Sequence, residues 1–327
     1  MPQPLLQVKD LEITFTSRDR RSTRVAQGVS FQVSKGEILC LVGESGCGKS
    51  VSALSVLGLL PPQGSVTGGE ILLDGQDLTR MTEKELDAIR TGRIGVIFQE
   101  IMDSLNPVFT IGRQLTEGIR CHLHLNKEDA RNRAIELLKK TGLPDARAVM
   151  KKYPHQLSGG QRQRVMIAMA LSCGPDLLIA DEPTTALDVT IQLQIMQLLK
   201  KLRNEDGMAI LLITHDIGVV AEMADRVAVM YAGQCVEEGS AEEVLTQPAH
   251  PYTQALLQAV PDLHTDCSEP LATIKGTVPD KYDDLPGCRF APRCPHQENC
   301  PRTGEYKTLG ENRFVRCDLA QGGKSHD

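Results

Sequence analysis

The apolar run Gly36-Glu-Ile-Leu-Cys-Leu-Val42 ends in Gly43-Glu-Ser-Gly-Cys-Gly-Lys49-Ser50, and Lys49–Leu60 then has helical composition until Pro61-Pro62. A short apolar run bounded by glycine reads as a strand buried on both faces, which belongs in a parallel sheet covered by helices. The octet fits G-x-x-x-x-G-K-[ST] and stands between a strand and a helix, as such a loop must. Its glycines let the backbone curl until amide N–H groups point inward at phosphate oxygens. Lys49 brings a point charge to those oxygens, and Ser50 an oxygen for Mg2+. A parallel α/β core that holds a nucleotide phosphate is the expectation from this segment.

The remaining periodicity agrees. Leu5–Phe15 alternates as a strand; Gly69–Leu73 runs into the turn pair Asp74-Gly75; Arg93–Phe98 is a further strand. Thr110–His124, Lys127–Thr141 and Gln161–Ser172 read as helices. Strand-like runs return at Asp176–Ala180 and Met208–Thr214, with helix Ile191–Asn204 between them. Val227–Met230 and Cys235–Glu237 look like closing strands, and Pro248–Val260 is a turn and a last helix. Alternating strands and helices give a parallel α/β core with a helical block inserted after Gln99. Beyond about residue 260, prolines, glycines and cysteines replace periodicity, so a domain boundary is expected there.

A second phosphate reader follows. In Leu157-Ser-Gly-Gly-Gln161 the small residues let N–H groups approach a phosphate closely. Arg162 and Arg164 then open a helix whose N-terminus favours anions. Two phosphate readers in separate places are most simply used on two nucleotides, which implies a dimer with nucleotide at its seams. Leu177-Leu-Ile-Ala-Asp181-Glu182-Pro183 is an apolar strand ending in adjacent carboxylates, and ligands of a parallel sheet gather beyond the carboxyl ends of its strands. Gln99 ends the strand Ile94–Phe98 with an amide that both donates and accepts, and His215 ends Ile210–Thr214. Asn126-Lys-Glu-Asp129 fits N-K-x-D, which reads guanine in GTPases. It follows no buried strand here, and Asn126 as a helix N-cap with acids in the first turn accounts for it.

This set of motifs resembles the ATP-binding-cassette (ABC) family. Ser104-Leu-Asn-Pro107, Tyr153-Pro-His-Gln-Leu-Ser-Gly-Gly160, Asp181-Glu-Pro-Thr-Thr-Ala-Leu-Asp188, Met230-Tyr-Ala-Gly233 and His250-Pro-Tyr-Thr-Gln254 occur together, over nearly the whole chain. Together they look like the ATPase subunits of bacterial dipeptide, oligopeptide and nickel importers. The resemblance implies an α/β P-loop NTPase fold: a RecA-like core, an antiparallel β subdomain and an inserted helical subdomain (about 100–172), all within residues 1–260. Residues 261–327 are then a small Cys-rich C-terminal domain.

The resemblance also implies roles. ATP lies on Gly43, Glu44, Ser45, Gly46, Cys47, Gly48, Lys49, Ser50 and Val51. Mg2+ is held through Ser50, Gln99 and Asp181. Glu182 is the general base that polarises the attacking water, Gln99 touches that water, and His215 is the switch histidine on the γ-phosphate. Ser158, Gly159, Gly160 and Gln161 complete the site of the opposing protomer, Asp188 lies on the loop that crosses to it, and Phe15 stacks on adenine. One departure is Ile101, where the family usually has proline, and it bears on the permease-facing loop. ABC ATPases that act on nucleic acid would insert a long coiled coil, and no extended heptad run is present.

Composition narrows the setting. With 327 residues there is room for a large domain and a smaller one, and 3% aromatics with no tryptophan leave packing to aliphatic side chains. A net charge of −6 argues against a nucleic-acid partner gripped by a basic face. Met1–Asp10 holds two prolines and no apolar core, so no signal peptide is expected. The apolar run from Val165 is broken at Gly174-Pro175 and is too short to span a bilayer. The implied setting is peripheral, on the cytoplasmic face of a bacterial membrane. The implied partners are a second ABC ATPase subunit (a paralogue), two transmembrane permease subunits and, indirectly, an extracytoplasmic solute-binding protein. Those partners choose the substrate: a di- or oligopeptide first, nickel or another metal chelate as the alternative.

Of ten cysteines, Cys40, Cys47, Cys121, Cys173 and Cys235 are scattered and read as small hydrophobes. Cys288, Cys294, Cys300 and Cys317 form C-x5-C-x5-C-x16-C, neither a zinc-ribbon pair nor a ferredoxin run. Four thiolates can hold a [4Fe–4S] cluster or tetrahedral Zn2+, and either would staple a segment with little core of its own. Some relatives carry the cluster, so iron–sulfur is the first expectation, ahead of zinc and of bare thiols. Cys267 lies outside the motif.

Overall fold

The computed structural model describes residues 4–17, 19, 22–99, 104–185, 187–260, 273–279, 282 and 285–320. Ile101 and Cys267 lie outside the described residues. The chain divides into two compact units, one of Met1–Val33, Ile38–Thr79 and Ile213–Asp327, the other of Ser34–Glu37 and Arg80–Leu212.

In the first unit, β1 (Leu6–Thr16) pairs antiparallel with β2 (Ser22–Val33) and with β4 (Gly64–Leu73), and β5 (Gln76–Asp77) completes the order β2-β1-β4-β5. Leu6 and Val8, then Leu11 and Ile13, of β1 are buried in alternation, with the phase shifted by an irregularity between Val8 and Leu11 where Asp10 takes φ 46°. Asp74 and Gly75 both have positive φ, 51° and 81°, as an Asp-Gly hairpin turn requires. β3 (Ile38–Val42) is buried throughout and runs parallel to β9 (Arg226–Tyr231). β9 folds back into β10 (Gln234–Ser240), and β10 accepts β12 (Arg313–Val315), which pairs in turn with β11 (Lys307–Gly310). Strands from the cysteine-bearing tail therefore continue the sheet whose β3 leads into the phosphate loop.

The helix after that loop is Lys49–Val56, shorter than the expected run to Leu60. Gly58, at φ 61°, takes the left-handed conformation, and Leu59 N–H donates to Leu54 C=O, so a glycine ends the helix before the proline pair can.

In the second unit, β6 (Ile94–Ile97) and β7 (Leu177–Asp181) are parallel, with β8 (Ala209–Thr214) beside β7. Between β6 and β7 the chain forms helices Ile111–Leu123, Lys127–Lys140, Ala146–Val149 and Gly159–Ala170. These bury a core of their own, including Ile111, Leu115, Ile119, Ala134, Leu138 and Val165. Asn126 caps the second of them, its side chain accepting from Glu128 N and Asp129 N at 2.9 and 3.0 Å. The guanine-like tetrapeptide is thus a helix start.

Candidate functional site

The phosphate loop is shaped by close backbone approaches. Gly43 sits at φ 150°, and a Cβ there would lie 2.1 Å from the Met230 carbonyl oxygen. Gly48, at φ 100°, is the N-cap of helix Lys49–Val56, which carries no side-chain cap. Glycine at the cap offers no hydroxyl of its own to the first-turn amides. Lys49 is 5% exposed, and its Nζ donates to Gly43 O at 2.8 Å and Glu44 O at 2.9 Å, so the loop curls around the ammonium. Burial pushes the Cys47 thiol up, against the pull of Lys49, and marks this cysteine as packing rather than nucleophile. Ser45 and Gly46 are exposed; Ser50 and Val51 are half-buried. Phe15, half-buried on β1, lays its ring over Gly64.

Glu44 does more than line this loop. Arg293 donates from Nη1 and Nη2 to its two carboxylate oxygens at 2.7 and 3.1 Å, and Glu44 N–H donates to Tyr252 Oη at 2.9 Å. Sequence reasoning did not find Arg293 or Tyr252 as loop partners: Tyr252 stands in the motif His250-Pro-Tyr-Thr-Gln254 and Arg293 beside Cys294, but neither setting points to the phosphate loop.

In the second unit, β7 delivers Asp181 and Glu182, both half-buried. Glu182 adopts φ 45°, a costly conformation for a residue with a side chain, of the kind that collects at functional sites. Its Oε2 accepts from Gln99 Nε2 at 3.0 Å and from Thr185 Oγ1 at 2.9 Å. The ends of β6 and β7 thus bring together two of the residues singled out in the sequence, and Thr185 joins them unforeseen. His215 is exposed directly after β8.

Ser158 is the N-cap of helix Gly159–Ala170, so the helix starts at the glycines rather than at Gln161 and the arginines after it. Ser158 Oγ accepts from Gln161 N at 3.3 Å, and Gln161 Oε1 accepts from Ser158 N at 3.2 Å, a reciprocal capping box. Arg164 is a brace, donating to Thr141 O at 2.9 Å and Gln194 Oε1 at 3.1 Å. Buried Gln163 donates to Pro183 O and so ties this helix to the segment just after Glu182. Asp188 caps helix Val189–Asp206 by accepting from Ile191 N at 2.9 Å.

Cys288, Cys294, Cys300 and Cys317 line one shared pocket. Burial pushes the Cys288, Cys294 and Cys317 thiols up, and their neighbours in the set push further: Cys317 and Cys294 on Cys288, Cys317 and Cys300 on Cys294, Cys300 on Cys317. Burial and like charge both disfavour the thiolate at Cys288, Cys294 and Cys317, and a bound cation would oppose that. The nine cysteines among the described residues are free thiols. Among the described residues no three His, Cys, Asp or Glu side chains stand close enough to grip a metal ion. No described helix is long and apolar enough to cross a membrane.

Residues 26–185 match the family model described as ABC transporter, and residues 236–300 the one described as oligopeptide/dipeptide transporter, C-terminal region. The oligopeptide transport ATP-binding protein AppD of Bacillus subtilis (strain 168) is 50% identical over 318 residues, 96% of each chain. The dipeptide transport ATP-binding protein DppD of the same organism is 47% identical over 327 residues, 99% of this chain and 97% of its own. Among solved structures, the dimeric MJ0796 bacterial ABC transporter cassette is 32% identical, with a TM-score of 0.65, over 72% of this chain and 98% of that one.

Proposed function

The chain belongs to the ATP-binding subunits of the dipeptide/oligopeptide ABC importers, and from that premise we propose how its residues bind and hydrolyse ATP to drive uptake. Amides of Gly43–Ser50 and Val51 receive the phosphates, Lys49 neutralises the β and γ groups, and Phe15 stacks on adenine. Ser50, Asp181 and Gln99 hold hydrated Mg2+. Glu182 takes a proton from the attacking water, Gln99 orients that water, and His215 contacts the γ-phosphate. Ser158, Gly159, Gly160 and Gln161 of a second ATPase subunit, with its Asp188 loop, complete the site. Closure of that dimer moves two permease subunits at the cytoplasmic face of the membrane, fed by an extracytoplasmic binding protein.

The observation that carries the hydrolytic reading is the Gln99–Glu182 hydrogen bond at 3.0 Å, made by a glutamate held at φ 45°. An amide that can accept as well as donate, fixed beside a carboxylate, is suited to position a water for the base.

For the tail we propose a [4Fe–4S] group on Cys288, Cys294, Cys300 and Cys317, with Zn2+ as the alternative, in a C-terminal extension of residues 261–327 that follows a cassette of residues 1–260. What supports the reading is that the four thiols line one pocket. A single zinc would need every sulfur at about 2.3 Å from one point. When bound, the group would supply positive charge that keeps the thiols ionised and would staple the segment; Cys288, Cys294, Cys300 and Cys317 would hold it, in a pocket that Phe290 also lines.

The test is ATP hydrolysis by the complete membrane complex, purified without air and given its binding protein, with dipeptides, longer peptides and nickel added separately. Stimulation by a peptide that is lost in Glu182→Gln is the expected result. Stimulation by nickel alone would move the substrate to metal chelates, and a chain that assembles with no permease would sink the importer reading.

A further inference from the structure

Glu44 is held by each of its polar handles. Its carbonyl accepts from Lys49 Nζ at 2.9 Å, its N–H donates to Tyr252 Oη at 2.9 Å, and its carboxylate receives the Arg293 fork at 2.7 and 3.1 Å. Tyr252 and Arg293 lie 208 and 249 residues further along the chain. The residue that steadies the phosphate-binding lysine is itself steadied from the C-terminal segment.

The Arg293 side chain is 5% exposed, and its remaining donors are committed. Nε donates to Lys275 O at 2.9 Å, Nη2 also to Gly276 O at 3.2 Å, and Nη1 to Tyr231 Oη at 3.4 Å. The Glu44 carboxylate holds the guanidinium firmly in its charged form. Arg293 ends the short turn Ala291–Arg293, between Phe290 and Cys294. Phe290 is buried edge-on against Tyr231, with centroids 5.2 Å apart, and against Tyr252 at 5.5 Å. Cys294 lines the cysteine pocket. One short turn therefore forms both the pocket wall and the clamp on the phosphate loop.

We propose that Arg293 is a positioning residue for nucleotide binding: its guanidinium fixes Glu44, and through the Glu44 carbonyl the Lys49 ammonium, so that full affinity at the phosphate loop requires an ordered cysteine-bearing tail. The inference rests on ATP binding at that loop. The planar, bidentate geometry matters, since lysine offers charge without the fork. The clamp touches no reacting atom and acts alike on ground and transition states, so its loss falls on KM and Kd rather than on kcat.

The experiment titrates a fluorescent ATP analogue into the intact importer complex, well below its melting temperature, alongside KM, kcat and Tm. The variants are Arg293→Ala, Arg293→Lys, Glu44→Gln and the double Arg293→Ala/Glu44→Gln. Arg293→Ala and Glu44→Gln should each raise Kd and KM about tenfold, the scale of one charged hydrogen-bonded contact, with a smaller change in kcat. The double variant should be no worse than the more affected single, and Arg293→Lys should fall between wild type and Arg293→Ala. Unchanged Kd with a lowered Tm, or penalties that multiply in the double variant, would overturn the proposal. If Arg293→Ala does not assemble, Arg293→Lys and Glu44→Gln decide by the same criterion. Failure of the wild-type complex to bind the analogue would count against the ATP-binding reading itself, not against the clamp.

Discussion

Helices Lys49–Val56 and Gly159–Ala170 both begin in glycine-rich turns, yet their first turns are finished in opposite ways. The first starts from Gly48 with no side-chain cap, around a lysine 5% exposed. The second closes its own end, with Ser158 and Gln161 each bonding the other's backbone N–H. A capping hydroxyl competes with any phosphate for the same amides, so a loop meant to wrap a phosphate does better without one. On the proposed reading the second terminus completes a partner's site, so it must hold its shape alone, and a capping box supplies that. The comparison separates an uncapped helix start from a self-capped one, the difference the proposed roles require.

Mutations can break or sharpen that division. The largest effect should come from neither terminus: Glu182→Gln in the assembled complex should lower hydrolysis by about 10²–10⁴-fold, the usual worth of a general base, while ATP binding persists. A binding assay run beside the turnover assay checks this. Next, Lys49→Ala should weaken ATP binding by about 10–100-fold, because a charged donor is lost from a buried position. Equilibrium titration reads it out, and retained affinity would remove the loop from the binding role. Ser158→Ala should leave the affinity of the isolated, dilute chain unchanged, slow hydrolysis in the complex, and cost about 1 kcal/mol of stability through the lost cap. A change in affinity of the isolated chain would erase the distinction between the two termini.

The smallest effect sharpens the capping argument. Ser240 and Glu243 form the same kind of box at helix Ala241–Thr246, and the Ser240 hydroxyl and N–H hold the Glu243 carboxyl below its usual range. A lowered carboxylate stabilises the fold above its ordinary titration range and loses that contribution as pH falls through the lowered value. Because the group is largely solvated, the loss should be at most a few tenths of a kcal/mol. Acid melts of wild type and Glu243→Gln should converge as pH falls. The Ser158–Gln161 box, with an amide in place of the acid, should show no such dependence.

Elements marked by local chemistry were legible. The phosphate loop, the acids ending β7, the Asn126 cap and the Asp74-Gly75 turn each declare themselves within a few contiguous residues. β2 was missed because its first three residues, Ser22-Thr-Arg, are exposed and only its later residues alternate. Helix Glu83–Gly92 was missed although Thr82 and Glu85 form a capping box that the sequence does display. The tail hairpin of β11 and β12 is too short to show a period, and it forms because β10 offers β12 an edge.

The sequence by itself determined what each motif can do chemically, because a glycine-rich loop, a strand-end carboxylate and a capping box act through backbone a few residues away. Tertiary structure decided which of them meet: Gln99 with Glu182 across 83 residues, Glu44 with Arg293 across 249, and four spaced thiols around one pocket. A charged side chain written alone in a sequence can pair with any opposite charge, and only the packing of strands and turns brings one candidate within 3 Å and excludes the rest.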